Sequence, residues 1–195
     1  WSLFRWRQVP SWRRASLAGF LLCLAIYIKA LVLFPLIGGM IGLFLSSRGF
    51  KKAWRDPQVW GIALVATLPN LIYTYYGTYV ARFLEGSFNG RFFPDLLLNP
   101  WFYIRWELKI HQIMSHALLA LSLFGVLFYR NPFANSKVHR WMLIGLWMGY
   151  VVYGLLFNYQ ISTHDYYHLP LIPIAALSLS PMAASLYSYL LSFGR

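Results

Sequence analysis

Acidic residues are scarce in this sequence: five Asp and Glu stand against 17 Lys and Arg in 195 residues, and charged residues of both signs reach only 11%. A soluble domain carries about a quarter, so there is too little charge here to cover a water-facing surface. Cysteine is nearly absent as well. Cys23 stands alone inside an apolar run, which excludes an intramolecular disulfide and leaves the redox compartment open. There is no N-x-S/T sequon, and no H-E-x-x-H, G-x-S-x-G, Walker or dinucleotide fingerprint. Internal repeats, low-complexity segments and a soluble domain are also missing.

Apolar residues are plentiful, at 59% of the chain with a mean hydropathy of +0.52. The expected class is all-α, a polytopic transmembrane helix bundle in a lipid bilayer. A net charge of +12 would suit nucleic acid, but the basic residues lie between apolar runs and make no continuous basic face. They read as topology signals, and no nucleic acid partner is expected.

Four apolar blocks, residues 58–76, 112–129, 141–157 and 169–191, approach the roughly 20 residues needed to cross about 30 Å of hydrocarbon. Residues 16–47 form a longer run with Lys29 in its middle. Arg5, Arg7, Arg13 and Arg14 flank it on one side, and Arg48, Lys51, Lys52 and Arg55 on the other, so the positive-inside rule puts both flanks in the cytoplasm. That requires a hairpin turning at Lys29, with arms 16–28 and 30–47, and about six crossings in all. Gly38 and Gly42 on the second arm suit close helix packing.

Continued along the chain, this topology places 77–111 and 158–168 outside and 130–140 inside. Twelve of the 17 Lys and Arg then fall inside, including Arg130, Lys137, Arg140 and Arg195, leaving Lys29, Arg82, Arg91, Arg105 and Lys109 outside. Acids run the other way: only Asp56 is inside, while Glu85, Asp95, Glu107 and Asp165 gather outside with His111, His164 and His168. In the long external connection, Glu85–Arg91 reads as a loop. Asn99 and Pro100 read as the cap and first position of a helix lying along the outer interface to Ile110. Arg105, Glu107 and Lys109 alternate along that helix as a solvated face. His111 and His116, five apart, are expected on different faces.

His164-Asp165-Tyr166-Tyr167-His168-Leu169-Pro170-Leu171-Ile172-Pro173 sets three ionisable groups and two tyrosines at the mouth of a span. Charge inside hydrocarbon costs roughly 2.5–3.5 kcal/mol on insertion scales, so such clusters collect at a bilayer face or in a wet cavity. His164 and Asp165 suit a phosphate or an acceptor hydroxyl, and Tyr166 and Tyr167 offer hydroxyls and aromatic surface to a sugar or prenyl chain. An aromatic belt is the plainer account of the tyrosines. Pro170 and Pro173 set the start of the last helix near Leu169. His164 and His168 lie four apart, yet no further ligand accompanies them, so no metal site is expected. Lys29, a lone amine at the hairpin apex, either pairs with a lipid phosphate or snorkels to the interface.

The 164–173 string resembles the H-D/P-Y-Y-x-L-P-L-x-P signature near the end of the integral-membrane glycosyltransferases that use polyprenyl-phosphate sugars. That family includes the dolichyl-phosphate-mannose mannosyltransferase and aminoarabinose transferase types, of the glycosyltransferase-C fold. Gly19-Phe-Leu-Leu-Cys-Leu-Ala-Ile-Tyr-Ile-Lys29 is similar to the family's Lys-bearing helix. The likeness implies an inverting transferase in the cytoplasmic membrane with its site on the extracytoplasmic side. A polyprenyl-phosphate sugar is the donor and a lipid, glycan or protein the acceptor, with Lys29, His164, Asp165, Tyr166 and Tyr167 on the substrate. It calls for no cofactor and leaves room for a divalent cation. The family's base lies in a first external loop of an N-terminal half. The chain opens at Trp1, so 1–195 reads as one transmembrane domain of a longer protein, with the catalytic residues unknown. The rival reading is a non-enzymatic lipid or solute transporter, disfavoured by the lack of a repeat and by polar groups collecting on one side.

Overall fold

A computed structural model describes residues 1–86, 92–127 and 136–193. Every regular element among them is helical, as expected. Arg91, Arg130 and Arg195 lie outside the described residues, as does most of the Glu85–Arg91 loop. Two stretches are long and apolar enough to cross a membrane, Ala30–Ser47 and Leu171–Phe193. The described residues fall into two compact units, Trp1–Leu33 with Arg48–Asn89, and Phe34–Ser47 with Gly90–Arg195.

The first unit holds α1 (Ser2–Gln8), α2 (Trp12–Ile28), α4 (Phe50–Arg55) and α5 (Pro57–Tyr75). Each long helix is started by a capping side chain. Ser11 Oγ accepts from the Arg14 amide at 3.3 Å, and Asp56 Oδ1 accepts from Gln58 N at 2.9 Å ahead of Pro57. The two long helices run parallel. Near their starts the Trp12 indole lies over Gly61, midway Gly19 meets Val65, and near their ends the Tyr27 hydroxyl donates to the Pro69 carbonyl at 3.0 Å. The chain therefore returns to its starting end between Ile28 and Pro57, which the hairpin reading requires. The same layout occurs twice, a short basic helix followed by a long apolar one. Beyond α5 a π-helical turn, Tyr76–Val80, closes the unit.

The helix breaks at Lys29, as the charge pattern predicts: its backbone is extended, at φ −152° and ψ 103°. Pro35 lies shortly after the break. It has no N–H and would clash with the preceding turn of a continuous helix, but it is harmless in the first turn of α3 (Leu33–Arg48), where amides have no intrahelical partner.

The second unit contains most of α3 together with α6 (Pro94–Leu97), α7 (Pro100–His111), α8 (His116–Leu127), α9 (Ser136–Leu156), α10 (Asn158–Thr163) and α11 (Leu171–Phe193). Glycines on both α3 and α9 let these helices touch backbone to backbone. A Cβ on Gly38 would land on the Gly145 carbonyl, one on Gly42 on the Trp141 carbonyl, and one on Gly149 on the Phe34 carbonyl. The pairing 34/149, 38/145 and 42/141 makes the two helices antiparallel, and it supplies the partner for the Gly38/Gly42 face. Helix α11 meets α8 where Gly125 faces the Ser178 carbonyl, and α9 where Trp147 Nε1 donates to Ser178 Oγ at 3.0 Å.

Helices α5 and α9 form where spans are expected, with 19 and 21 residues, but their polar and aromatic residues keep both below the apolarity of the two spans. Helices α7 and α8 together have the length and composition of a span but are bent by 96°. Helix α7 starts where expected, with Asn99 Oδ1 accepting from Trp101 N at 3.0 Å.

Candidate functional site

The segment after α9, expected to be an external loop, is helical: α10 is followed by a single 3-10 turn, Asp165–His168. Asn158, fully buried, anchors it. Its side-chain amide accepts from Phe93 N at 3.0 Å and donates to Phe93 O at 2.8 Å, which satisfies a backbone pair far away in sequence. The last helix begins at Leu171 rather than Leu169, and Pro173 still falls in its first turn.

His168 is the buried centre of this segment, with no exposed surface. Its Nε2 lies 2.8 Å from the Ile161 carbonyl, which can only accept, so Nε2 carries the proton. Nδ1 then accepts from the Tyr150 hydroxyl at 2.6 Å, and Tyr150 in turn accepts from Trp106 Nε1 at 3.2 Å. Donors and acceptors alternate without conflict along the relay. Gly154 makes it fit, because a Cβ there would collide with the Trp106 ring. Trp106 and Phe102, four residues apart, form the buried face of α7.

The four sequence-predicted residues of the turn lie together above this relay. Thr163 gives its hydroxyl proton to the Tyr159 carbonyl at 2.7 Å, so it accepts from His164 Nδ1 at 2.7 Å. That leaves His164 Nε2 unpaired among the described residues. Asp165 is exposed, and its Oδ1 accepts from Tyr166 N at 2.7 Å, leaving the second carboxylate oxygen open. The Tyr166 and Tyr167 rings lie 4.6 Å apart at 39°, and the His164 ring stands 5.4 Å and 5.8 Å from them. Below, the Tyr153 hydroxyl donates to the Tyr167 carbonyl at 3.2 Å. The result is an exposed carboxylate and imidazole beside aromatic faces, held from beneath.

Lys29 belongs to the first unit. It is half-buried at the break between α2 and the following 3-10 turn, and desolvation pulls its amine below the ordinary 10.5. Nearby on the same unit, Tyr27, Leu68, Pro69, Ile72, Tyr73 and Tyr76 line an open groove of about 440 Å³. The remaining groups expected outside are scattered. Arg82 takes a left-handed backbone (φ 58°), Glu85 is exposed, and Asp95 sits in α6. Arg105 is exposed, and Lys109 donates to Gln112 at 3.1 Å.

Two expectations are corrected here. His111 and His116 do not separate: the bend between α7 and α8 stacks their rings 4.2 Å apart at 21°. Glu107 is not a plain solvated charge either, since its carboxylate contacts His116 Nε2. Helical spacing misled both readings because the helix does not continue through residues 112–115. Among the described residues no group of three or more His, Cys, Asp or Glu could hold a metal ion.

The sequence reading missed Tyr150, Trp106 and the burial of His168. A signal was present, for a tyrosine midway along an otherwise apolar helix needs a partner for its hydroxyl. No protein-family model, curated protein or solved structure matches this chain.

Proposed function

We propose that this chain is the membrane bundle of an inverting glycosyltransferase. It takes a sugar from a polyprenyl-phosphate donor and passes it to a lipid, glycan or protein acceptor on the extracytoplasmic side of the cytoplasmic membrane, crossing about six times. One observation carries the reading. An unpaired imidazole nitrogen and an open carboxylate oxygen stand beside two tyrosine rings on a turn anchored by a buried relay. Such a surface accepts hydrogen bonds from hydroxyls and offers a flat apolar face to a sugar ring.

In the reaction an acceptor hydroxyl attacks the anomeric carbon as the bond to the phosphate oxygen breaks, its proton passing to a carboxylate general base. The phosphate leaves with the electron pair, and cationic groups steady it. His164, Asp165, Tyr166 and Tyr167 of the second unit are assigned to donor or acceptor hydroxyls, and Lys29 of the first unit, taken by itself, to a lipid phosphate. No residue of this chain is assigned as the base.

The test is transfer of radiolabelled sugar from polyprenyl-phosphate donors in membranes carrying the protein, with wild type compared with His164→Ala and Lys29→Ala at matched expression. Loss of transfer in both supports the reading, and robust transfer indifferent to both sinks it. A carrier is the second reading, favoured by the twice-used layout of short basic helix and long apolar helix in the first unit. Absence of transfer from every donor, with lipid or solute movement across vesicles, would select it.

A further inference from the structure

The parallel run of α2 and α5 does more than support a hairpin: it brings two basic segments, far apart in sequence, to one end of one unit. Trp6 on α1 is buried, and its Nε1 donates to Gln58 Oε1 at 2.7 Å, joining α1 to the first turn of α5. Helix α4 folds onto the same turn. Trp60 Nε1 donates to the Trp54 carbonyl at 2.7 Å, and the two indoles meet edge to face at 4.7 Å. Arg14 serves as a brace, donating to the carbonyls of Arg5 and Val9 at 3.3 and 3.1 Å.

The end so formed carries Arg5, Arg7 and Arg13 from one segment and Lys51, Lys52 and Arg55 from the other. One acid, Asp56, stands among them, and its side chain caps α5. Of the six cations, all but the half-buried Arg7 are exposed. Trp12, Trp54 and Trp60, at 56%, 59% and 48% exposure, rim the same end. Exposed indoles settle at headgroup depth, so this pairing of tryptophan with Lys and Arg matches the layer where lipid phosphates lie.

We propose that this collar of α1 and α4 is a binding site for the phosphodiester headgroups of anionic phospholipids. It is separate from the site proposed above and does not depend on it. The occupant follows from charge complementarity, for six clustered cations with one engaged acid attract an anionic surface, and the indole rim places them within its range. Each Lys or Arg near such a surface strengthens binding roughly fivefold. The attraction fades within a Debye length and weakens with salt.

The experiment is native mass spectrometry of the intact protein in detergent, titrated with phosphatidylglycerol or phosphatidylcholine of matched chains. Wild type is expected to retain phosphatidylglycerol at least about tenfold more tightly than phosphatidylcholine. Lys51→Gln/Lys52→Gln/Arg55→Gln should erase most of that preference, Lys51→Arg/Lys52→Arg should keep it, and Arg105→Gln/Lys109→Gln on the second unit should leave it intact. Equal loss in the Arg105/Lys109 variant, or retention in the triple variant, overturns the proposal. Inorganic phosphate that displaces the lipid at millimolar concentration would reassign the site to free phosphate and overturn the lipid assignment. Should the triple variant fail to fold, wild type decides the matter alone: a phosphatidylglycerol preference that survives 0.5 M NaCl undiminished counts against the collar.

Discussion

The Tyr150 hydroxyl donates to Nδ1 of His168 at 2.6 Å, and with Trp106 behind it this bond ties α9, α7 and the His164 turn together. Each member of the relay is buried, so removing the Tyr150 hydroxyl takes the acceptor from the Trp106 indole N–H. Tyr150→Phe should therefore destabilise the protein by about 1–3 kcal/mol, the cost of an unsatisfied buried donor. His164→Ala, which cuts only a half-buried contact, should cost much less. Thermal unfolding in one detergent compares the two, and equal melting temperatures would show that the relay carries no stability.

Gly38 and Gly145 meet without room for a methyl group. Gly38→Ala and Gly145→Ala should each cost about 1–3 kcal/mol by forcing α3 and α9 apart. The double variant should cost less than the sum, because helices already separated accommodate the second methyl. Gly49→Ala is a useful contrast: nothing lies near it, and its φ of +77° alone predicts a cost of about 1–2 kcal/mol. Strict additivity of the glycine pair would contradict the close crossing.

Parallel α2 and α5 fix which residues share a side. In a variant lacking Cys23, single cysteines at Arg13 and Lys51 should behave alike toward an impermeant thiol reagent. Those at Lys29 and Arg82 should behave oppositely to them. The second pair follows from the Tyr27–Tyr73 and Tyr73–Phe83 ring contacts, at 6.0 and 5.6 Å. Labelling of Lys29 and Lys51 from one face would refute a membrane-crossing first unit.

Desolvation at Lys29 favours the neutral amine in the folded state, so folded protein binds fewer protons there than unfolded chain does. The sign follows: the desolvation cost is fully present at pH values below the folded pKa and is relieved as pH rises through it toward 10.5, so this residue makes stability increase with pH over that window. Lys29→Met should flatten that part of the profile. The amine should also acylate at lower pH than those of Lys51 and Lys52, and peptide mapping after brief acetylation at stepped pH would read this. Acylation of all three at the same pH would remove the burial.

Much was legible in one dimension. Apolar length and the Lys/Arg pattern locate the long helices, Asn99 announces a start that its side chain caps, and the 164–167 cluster marks a turn whose rings do come together. These readings succeed because hydrocarbon thickness, capping chemistry and proline geometry act within a few residues of each other.

Contacts between distant segments were not legible. His168 is buried where Tyr150 reaches it across 18 positions and Trp106 reaches Tyr150 across 44. His111 stacks on His116 because the chain turns by 96° where helical spacing assumed it would run on. Sequence by itself determined an apolar helical chain with basic flanks and a polar aromatic turn. Only tertiary structure decided that α3 and α9 touch at their glycines and which histidine is buried. Those outcomes depend on which helix faces which, and packing across the bundle, rather than local spacing, selects the partners.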